Sequence, residues 1–502
     1  MKKIFIVPHS HWDREWYMPF ESHRMRLVEL IDNIIELMEA DNDYCYYHLD
    51  GQTIAVEDYL EIRPQNRERL MKLIRENKIQ IGPWYVLQDE FLIDGESNIR
   101  NLMTGIGYCR ANGAEPLMCG YLPDAFGNIS QMPQILNGFG IDNAVFGRGI
   151  GRILCDNMPD KDNGAEVTEY IWSSPDGSSV IGIKFLGWYN NGAELPEDAV
   201  SLKKRLQNII AYSDRVCKTP LVLLMNGSDH QPLQKNLSDV IKTAGKLFPD
   251  ITAVQSGLKE YIAAIREYSE AFIHVSGEMI SQNTVGYRNL INTASTHIPL
   301  KQRNHTVQNL LITKSEPINV MSWLAGDVMR RDELAYAWKT LMKNHPHDSI
   351  CTCSCDEVAG EMAVRFNKSQ QVSEYIAAEA AKYITDRISL AHEKNICVFH
   401  GYPYSEAVAV TAELHYNEEK DISALAVYDI NGHRIPAEFK YLGKQFRYTL
   451  PKDSFRKSGR PHIYTVRFLC RLSGIGYTSF YIDETDEQEQ PLITVNNNGA
   501  EN

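Results

Sequence analysis

The chain has 502 residues, 43% of them apolar and 23% charged, with a formal net charge of -14. That balance excludes large-scale disorder and argues against broad contact with nucleic acid or an anionic membrane, neither of which a negative field attracts. No apolar run is long enough to span a bilayer, and no signal-type cleavage site follows the first strand, so a cytoplasmic protein of two or three domains is expected. Ten cysteines without disulfide-framework spacing suit a reducing compartment.

The first element, Ile4-Phe5-Ile6-Val7-Pro8, reads as a buried strand that runs into His9-Ser10-His11-Trp12-Asp13-Arg14-Glu15. Polar groups at the mouth of a buried strand must be paired, hydrogen-bonded or metal-bound. His11 and Asp13 are therefore either an ordinary hydrogen-bonded pair or a nitrogen and an oxygen offered to one cation. A helical stripe over Glu21–Ala40, a strand Tyr44–Leu49 ending at Asp50-Gly51, a helix Arg67–Asn77 and a strand from Ile79 towards Trp84 and Asp89 follow. Such alternation marks βαβ units around a parallel sheet or barrel.

The strand Leu117–Pro123 leads into Asp124, Asn143–Gly147 ends at Arg148, and the apolar run Leu221–Met225 leads into Asn226-Gly227-Ser228-Asp229-His230. Glu169–Trp172 and Ser179–Phe185 flank the turn Pro175-Asp176-Gly177 and read as a hairpin insertion. Three buried strands thus end in an aspartate, Asp13, Asp124 and Asp229, at the edge where parallel α/β folds place their active sites. From Pro317 to Ala391 the periodicity is helical, with Asn344-His345-Pro346-His347-Asp348 between two helices. Cys351, Cys353 and Cys355, spaced by two, read as buried or loop thiols rather than a second metal site. Short alternating strands fill the rest up to a polar, frayed tail over Asp483–Asn502; they are few for a closed sandwich, as in a piece of a longer chain.

Taken together, His9-Ser10-His11-Trp12-Asp13, Tyr121-Leu122-Pro123-Asp124-Ala125-Phe126-Gly127-Asn128, Asn226-Gly227-Ser228-Asp229 and His345-Pro346-His347-Asp348 resemble, in order and spacing, the motifs of glycoside hydrolase family 38 α-mannosidases, nearest to the bacterial cytoplasmic branch that includes mannosylglycerate hydrolases. The resemblance implies an α/β + α + β multidomain chain. Residues 1–275 would form a seven-stranded (β/α) barrel-like catalytic domain, 276–394 a helical bundle contributing a metal ligand, and 395–502 a partial antiparallel β-sandwich shorter than the family's. It further implies one zinc ion on His11, Asp13, Asp124 and His347, with Asp124 also the nucleophile and Asp229 the general acid/base. Trp84, Asp89, Arg148 and Asp348 would line the sugar pocket. The loop Gly227-Ser228-Asp229-His230 departs from the eukaryotic pattern, and Thr352 stands where the family has a glycine.

On this reading the chain is a zinc-dependent retaining α-mannosidase that acts on terminal α-mannosides through a covalent mannosyl-Asp124, with the two carboxyls about 5 to 5.5 Å apart. Relatives in this branch imply a homodimer. Aromatics Trp12, Trp16, Tyr17, Trp84, Trp188 and Tyr189 either stack on sugar or pack the core. A metal-dependent carbohydrate deacetylase would use similar ligands but needs neither the Asp124 motif nor an independent acid, and a non-catalytic sugar-binding protein would not require two carboxylates at one pocket.

Overall fold

The computed structural model describes residues 2–150, 167–282, 287–389, 392 and 394–485, and the backbone of 494–496 and 499–501. Most of the tail beyond residue 485 therefore lies outside the described residues. Two compact units form: Met1–Gln308 with Tyr336–Ser369, and Asn309–Ala335 with Gln370–Asn502.

The first unit is organised on β1 (Lys2–Pro8), which is hydrogen-bonded along both edges. Two-residue strands β2 (Tyr47–His48) and β3 (Ile79–Gln80) follow, then β4 (Gly120–Leu122), β5 (Asn143–Phe146), β6 (Glu169–Ser173), β7 (Ser179–Lys184), β8 (Leu221–Asn226), β9 (Ile251–Gln255) and β10 (Ile273–Ser276). β8, β1 and β9 form a parallel sheet, and a second sheet runs in the order β10-β6-β7-β5-β4. Ile4, Phe5, Ile6 and Val7 alternate between two apolar clusters, Phe5 and Val7 in one and Ile4 and Ile6 in the other. That double burial is why the strand reads as a continuous apolar run. The helix Phe20–Ala40 lays Leu27, Ile31, Ile34 and Ile35 onto the second cluster.

The expected seven-stranded barrel is not what the ladder shows. Among the described residues the strands divide into separate sheets with no closed barrel. The interruption falls where the strands are shortest: β2 and β3 pair over two residues, and Pro83, which has no N–H, ends the extended stretch after β3. Isolated bridges, His9 to His48 and Gln52 to Trp84, continue the side-by-side path beyond the ladders. The antiparallel pair β6–β7 is not an insertion but the middle of the five-stranded sheet, each strand pairing in parallel on its other side.

In the second unit, Lys394–His400, Gly476–Glu484, Leu425–Asp429 and Arg434–Ile435 make one antiparallel sheet, and Glu406–Tyr416, His462–Leu472 and Ala437–Lys444 another. Ile396, Leu414, Val427, Val466, Phe468 and Phe480 form their core. The strand Ala437–Lys444 was not anticipated, although Phe439 and Tyr441 alternate with Glu438 and Lys440. The long helix runs Asp356–Thr385, and its Ala380 and Ile384 pack with Ile318 in this unit.

Glu169, at the start of β6, is fully buried and accepts the Lys218 N–H at 2.9 Å. Burial pushes its carboxyl up from 4.5 to about 7. A raised acid contributes stability below its unfolded value and loses it as pH rises through the folded one. Glu169→Gln is therefore expected to leave thermal stability unchanged near pH 4 and to raise it at pH 8 by on the order of 3 kcal/mol, read from paired melting curves.

Candidate active site

Strand register brings the site together. Pro8 stands opposite Asn226 where β1 meets β8, so the segments that follow run side by side. The His11 N–H donates to Ser228 O at 3.2 Å and the His230 N–H to His11 O at 2.9 Å, which fixes Asp229 against His11. The approach is close enough that a Cβ on Gly227 would lie 1.8 Å from His9 O, so only glycine passes there. Likewise Leu122 of β4 pairs with Phe146 of β5, and Phe146 with Lys184 of β7. Asp124 and Arg148 follow two residues beyond the first pair, and Tyr189 a short turn beyond the second.

His347 opens the one-turn helix His347–Ile350, which follows the helix Arg331–Met342. Its N–H donates to Leu87 O at 3.2 Å, while the Asp89 N–H donates to His345 O at 3.0 Å. His345 in turn meets Asn304 Oδ1 at 2.9 Å.

His11 Nε2 and His347 Nε2 lie 3.2 and 3.1 Å from Asp13 Oδ1. Asp124 Oδ2 lies 3.8 and 4.0 Å from the same two nitrogens. His11, Asp13 and His347 are buried and Asp124 is partly so, yet His11 Nε2, His347 Nε2 and Asp13 Oδ1 have no hydrogen-bond partner of acceptable geometry. Three orphaned donor atoms converging on one point are what a cation would satisfy, and His11, Asp13 and His347 form a group that could hold a metal ion. The ring nitrogens facing away are anchored: His11 Nδ1 meets Asp50 Oδ1 at 3.2 Å and His347 Nδ1 meets Leu87 O at 3.3 Å. Such partners fix ring orientation and leave Nε2 free as the ligand atom.

The electrostatics agree. Burial opposes charge on His11, but Asp13 and Asp50 outweigh it and hold the imidazole well above its usual value. On His347 the same contest, with Asp348, Asp13 and Asp124 on the favourable side, ends at about 9. Asp13 is held well below the ordinary carboxylate range, its burial outweighed by the two histidines. The pocket thus draws positive charge, which a divalent ion supplies without protons.

Asp124 is gripped by Arg148, whose Nε donates to Oδ1 at 2.5 Å, while Arg148 Nη1 donates to Arg288 O at 2.7 Å. The Tyr189 hydroxyl lies 2.6 Å from Asp229 Oδ1 and 3.3 Å from Asp124 Oδ2. Burial and the neighbouring carboxylates push its pKa far up, so it stays a protonated donor. One hydroxyl is thus in contact with both carboxylates.

The other expected pocket residues lie around this group. Trp84 is fully buried with its indole N–H on Tyr121 O at 2.9 Å. Asp89 spends Oδ1 on the N–H groups of Phe91 and Leu92. Asp348 accepts from Cys353 Sγ at 2.7 Å and lies 3.9 Å from His347 Nε2. Thr352 has φ of 57°, a left-handed conformation costly for a β-branched residue, and its hydroxyl meets Thr296 Oγ1 at 2.6 Å. Sequence reasoning missed Asp50, although it too ends a strand, and took Tyr189 only as an aromatic surface.

Comparison with known proteins follows this geometry. Residues 1–287 match the glycosyl hydrolases family 38 N-terminal domain, 290–384 the alpha mannosidase middle domain and 398–484 the glycosyl hydrolases family 38 C-terminal domain 1. The chain belongs to glycosyl hydrolase family 38. A protein of Halalkalibacterium halodurans, provisionally named mannosylglycerate hydrolase, is 39% identical over 478 residues, 91% of this chain and 53% of the relative. An alpha-mannosidase from Enterococcus faecalis V583 superposes with a TM-score of 0.89 at 36% identity, covering 99% of this chain and 60% of that one. A second family 38 protein from Enterococcus faecalis gives 0.81 at 29%, covering 98% and 55%. The chain thus spans little more than half the length of these relatives. Among the described residues no helix is long and apolar enough to cross a membrane.

Asp50→Asn keeps the shape beside His11 but removes the charge that orients its ring. It is expected to weaken divalent-metal binding about 10- to 100-fold in a chelator competition while the chain stays folded.

Proposed function

We propose that this family 38 chain is a zinc-dependent, retaining α-mannosidase acting on terminal α-mannosides. The observation that carries the reading is the pair Asp124 and Asp229 joined through one Tyr189 hydroxyl beside the His11–Asp13–His347 group. His11 Nε2 and His347 Nε2, with Asp13 and Asp124, would hold zinc, whose positive charge would bind adjacent sugar hydroxyls. Asp124, oriented by Arg148, attacks the anomeric carbon. Asp229 protonates the leaving oxygen and later takes a proton from water, which resolves the covalent mannosyl ester. Tyr189 links the two states. While Asp229 carries its proton it can donate to the Tyr189 oxygen, freeing that O–H for Asp124; once Asp229 is ionised, the O–H turns to it. The independent acid favours this reading over a deacetylase, in which a metal-bound water is the nucleophile.

Arg148 reads as the group that fixes Asp124, and Asp348 as a wall of the sugar site. Free thiols such as Cys109, Cys119 and Cys351 fit a cytoplasmic setting.

The test is hydrolysis of an aryl α-mannoside, followed by NMR for the first-formed anomer, before and after chelation and with zinc restored. Release of α-mannose that stops on chelation and returns with zinc is expected. Asp124→Asn should abolish turnover, and Asp229→Asn should slow it about 10²- to 10⁴-fold. Turnover retained by Asp124→Asn, or β-mannose as first product, would refute the mechanism.

A further inference from the structure

Two residues past Asp13, Glu15 is fully buried and is not explained by the chemistry above. Its carboxylate accepts from Arg365 Nη2 at 2.6 and 2.8 Å and from Ser349 Oγ at 2.7 Å. Ser349 stands two residues past His347. Arg365, on the helix Asp356–Thr385, also donates through Nη1 to Lys343 O at 2.8 Å, so it grips the histidine loop from its other side. A main-chain bond from Cys355 N to Trp16 O at 2.8 Å closes the same seam. The Ser349 and Cys355 contacts join the segment after β1 to the one that follows His347, and Arg365 ties Glu15 to Lys343, four residues before His347.

A buried ion pair contributes little stability compared with apolar side chains of the same volume, because desolvating two charges offsets their attraction. What it does supply is geometry, since a carboxylate with three donors accepts few alternative arrangements. We infer that Glu15, Ser349 and Arg365 form a clamp that sets the spacing of Asp13 and His347, making them positioning residues for the metal. The inference rests on the metal site proposed above and concerns residues outside its ligand set.

Zinc affinity, measured by competition with a chromogenic chelator on the folded chain, tests it, with melting curves recorded in chelator and in zinc. Ser349→Ala removes one arm without stranding a charge. The pair Glu15→Gln with Arg365→Gln removes both charges together, and Arg365→Lys keeps the charge but not the fork. The clamp predicts roughly a tenfold or greater loss of zinc affinity in Ser349→Ala and in the double variant, with partial retention in Arg365→Lys, and a smaller zinc-dependent rise in melting temperature. Folded variants that melt lower in chelator yet bind zinc as tightly as the unchanged chain would overturn it, leaving a structural ion pair. An unchanged chain that binds no zinc refutes the metal reading itself and the clamp with it, and that outcome is read on the reference sample before any variant.

Discussion

A strand hydrogen-bonded on both edges and buried on both faces cannot shift without breaking every pairing along it. β1 is such a strand, between β8 and β9 with Ile4 to Val7 inaccessible to water. Whatever follows it is delivered to one place. His11 and Asp13 follow it, the register with β8 puts Asp229 alongside, and the tight passage of Gly227 past His9 leaves no slack. The second sheet does the same for Asp124, Arg148 and Tyr189. The precision of the site is therefore inherited from ladders, with loops only completing it.

The electrostatic character follows from that convergence. Asp13, Asp50, Asp124, Asp229 and Asp348 gather around the two imidazoles and Tyr189, with Asp13, Asp50 and Asp348 buried and Asp124 and Asp229 partly so. Self-repulsion on that scale is tolerated only because cationic partners are interleaved: Arg148 on Asp124, imidazoles on Asp13 and Asp50. The neighbouring pair Arg14 and Asp58, joined at 2.8 Å, continues the pattern into the adjoining core. Among the buried atoms left without a hydrogen-bond partner, His11 Nε2, His347 Nε2 and Asp13 Oδ1 point at one another, and these three residues form a group that could hold a metal ion.

Much of this was legible in the sequence because the physics is local. An apolar run that stops at a proline before charged residues announces a buried strand and a functional rim, which is why His11, Asp13, Asp124 and Asp229 could be named from spacing. Asp50 also ends a strand read from the sequence, but its role rests on lying beside His11 Nδ1, which no pattern in the sequence states. Tyr189 was visible only as an aromatic, since its role depends on which carboxylates lie within reach of its hydroxyl. Arg365 could not be found at all: a single arginine in a long, charged helix looks solvent-facing until the fold reveals Glu15 beneath it. The open ladder was hidden for a related reason. Extended residues around β2 and β3 have strand-like composition, but pairing is set by neighbours and by Pro83.

The distance in sequence between Asp13 and His347 has a consequence for how such a protein is made. Strand ladders near the N-terminus can assemble while the ribosome is still working, but the cluster of acids they present stays incomplete until residue 347 and its surrounding helices emerge. For much of synthesis the nascent chain therefore carries a crowded negative pocket that lacks one of its imidazoles. Closing so long a loop falls late in folding, when the ladders already define its destination. The pocket thus lacks His347 until the segment that carries it has been made and has folded against the ladders.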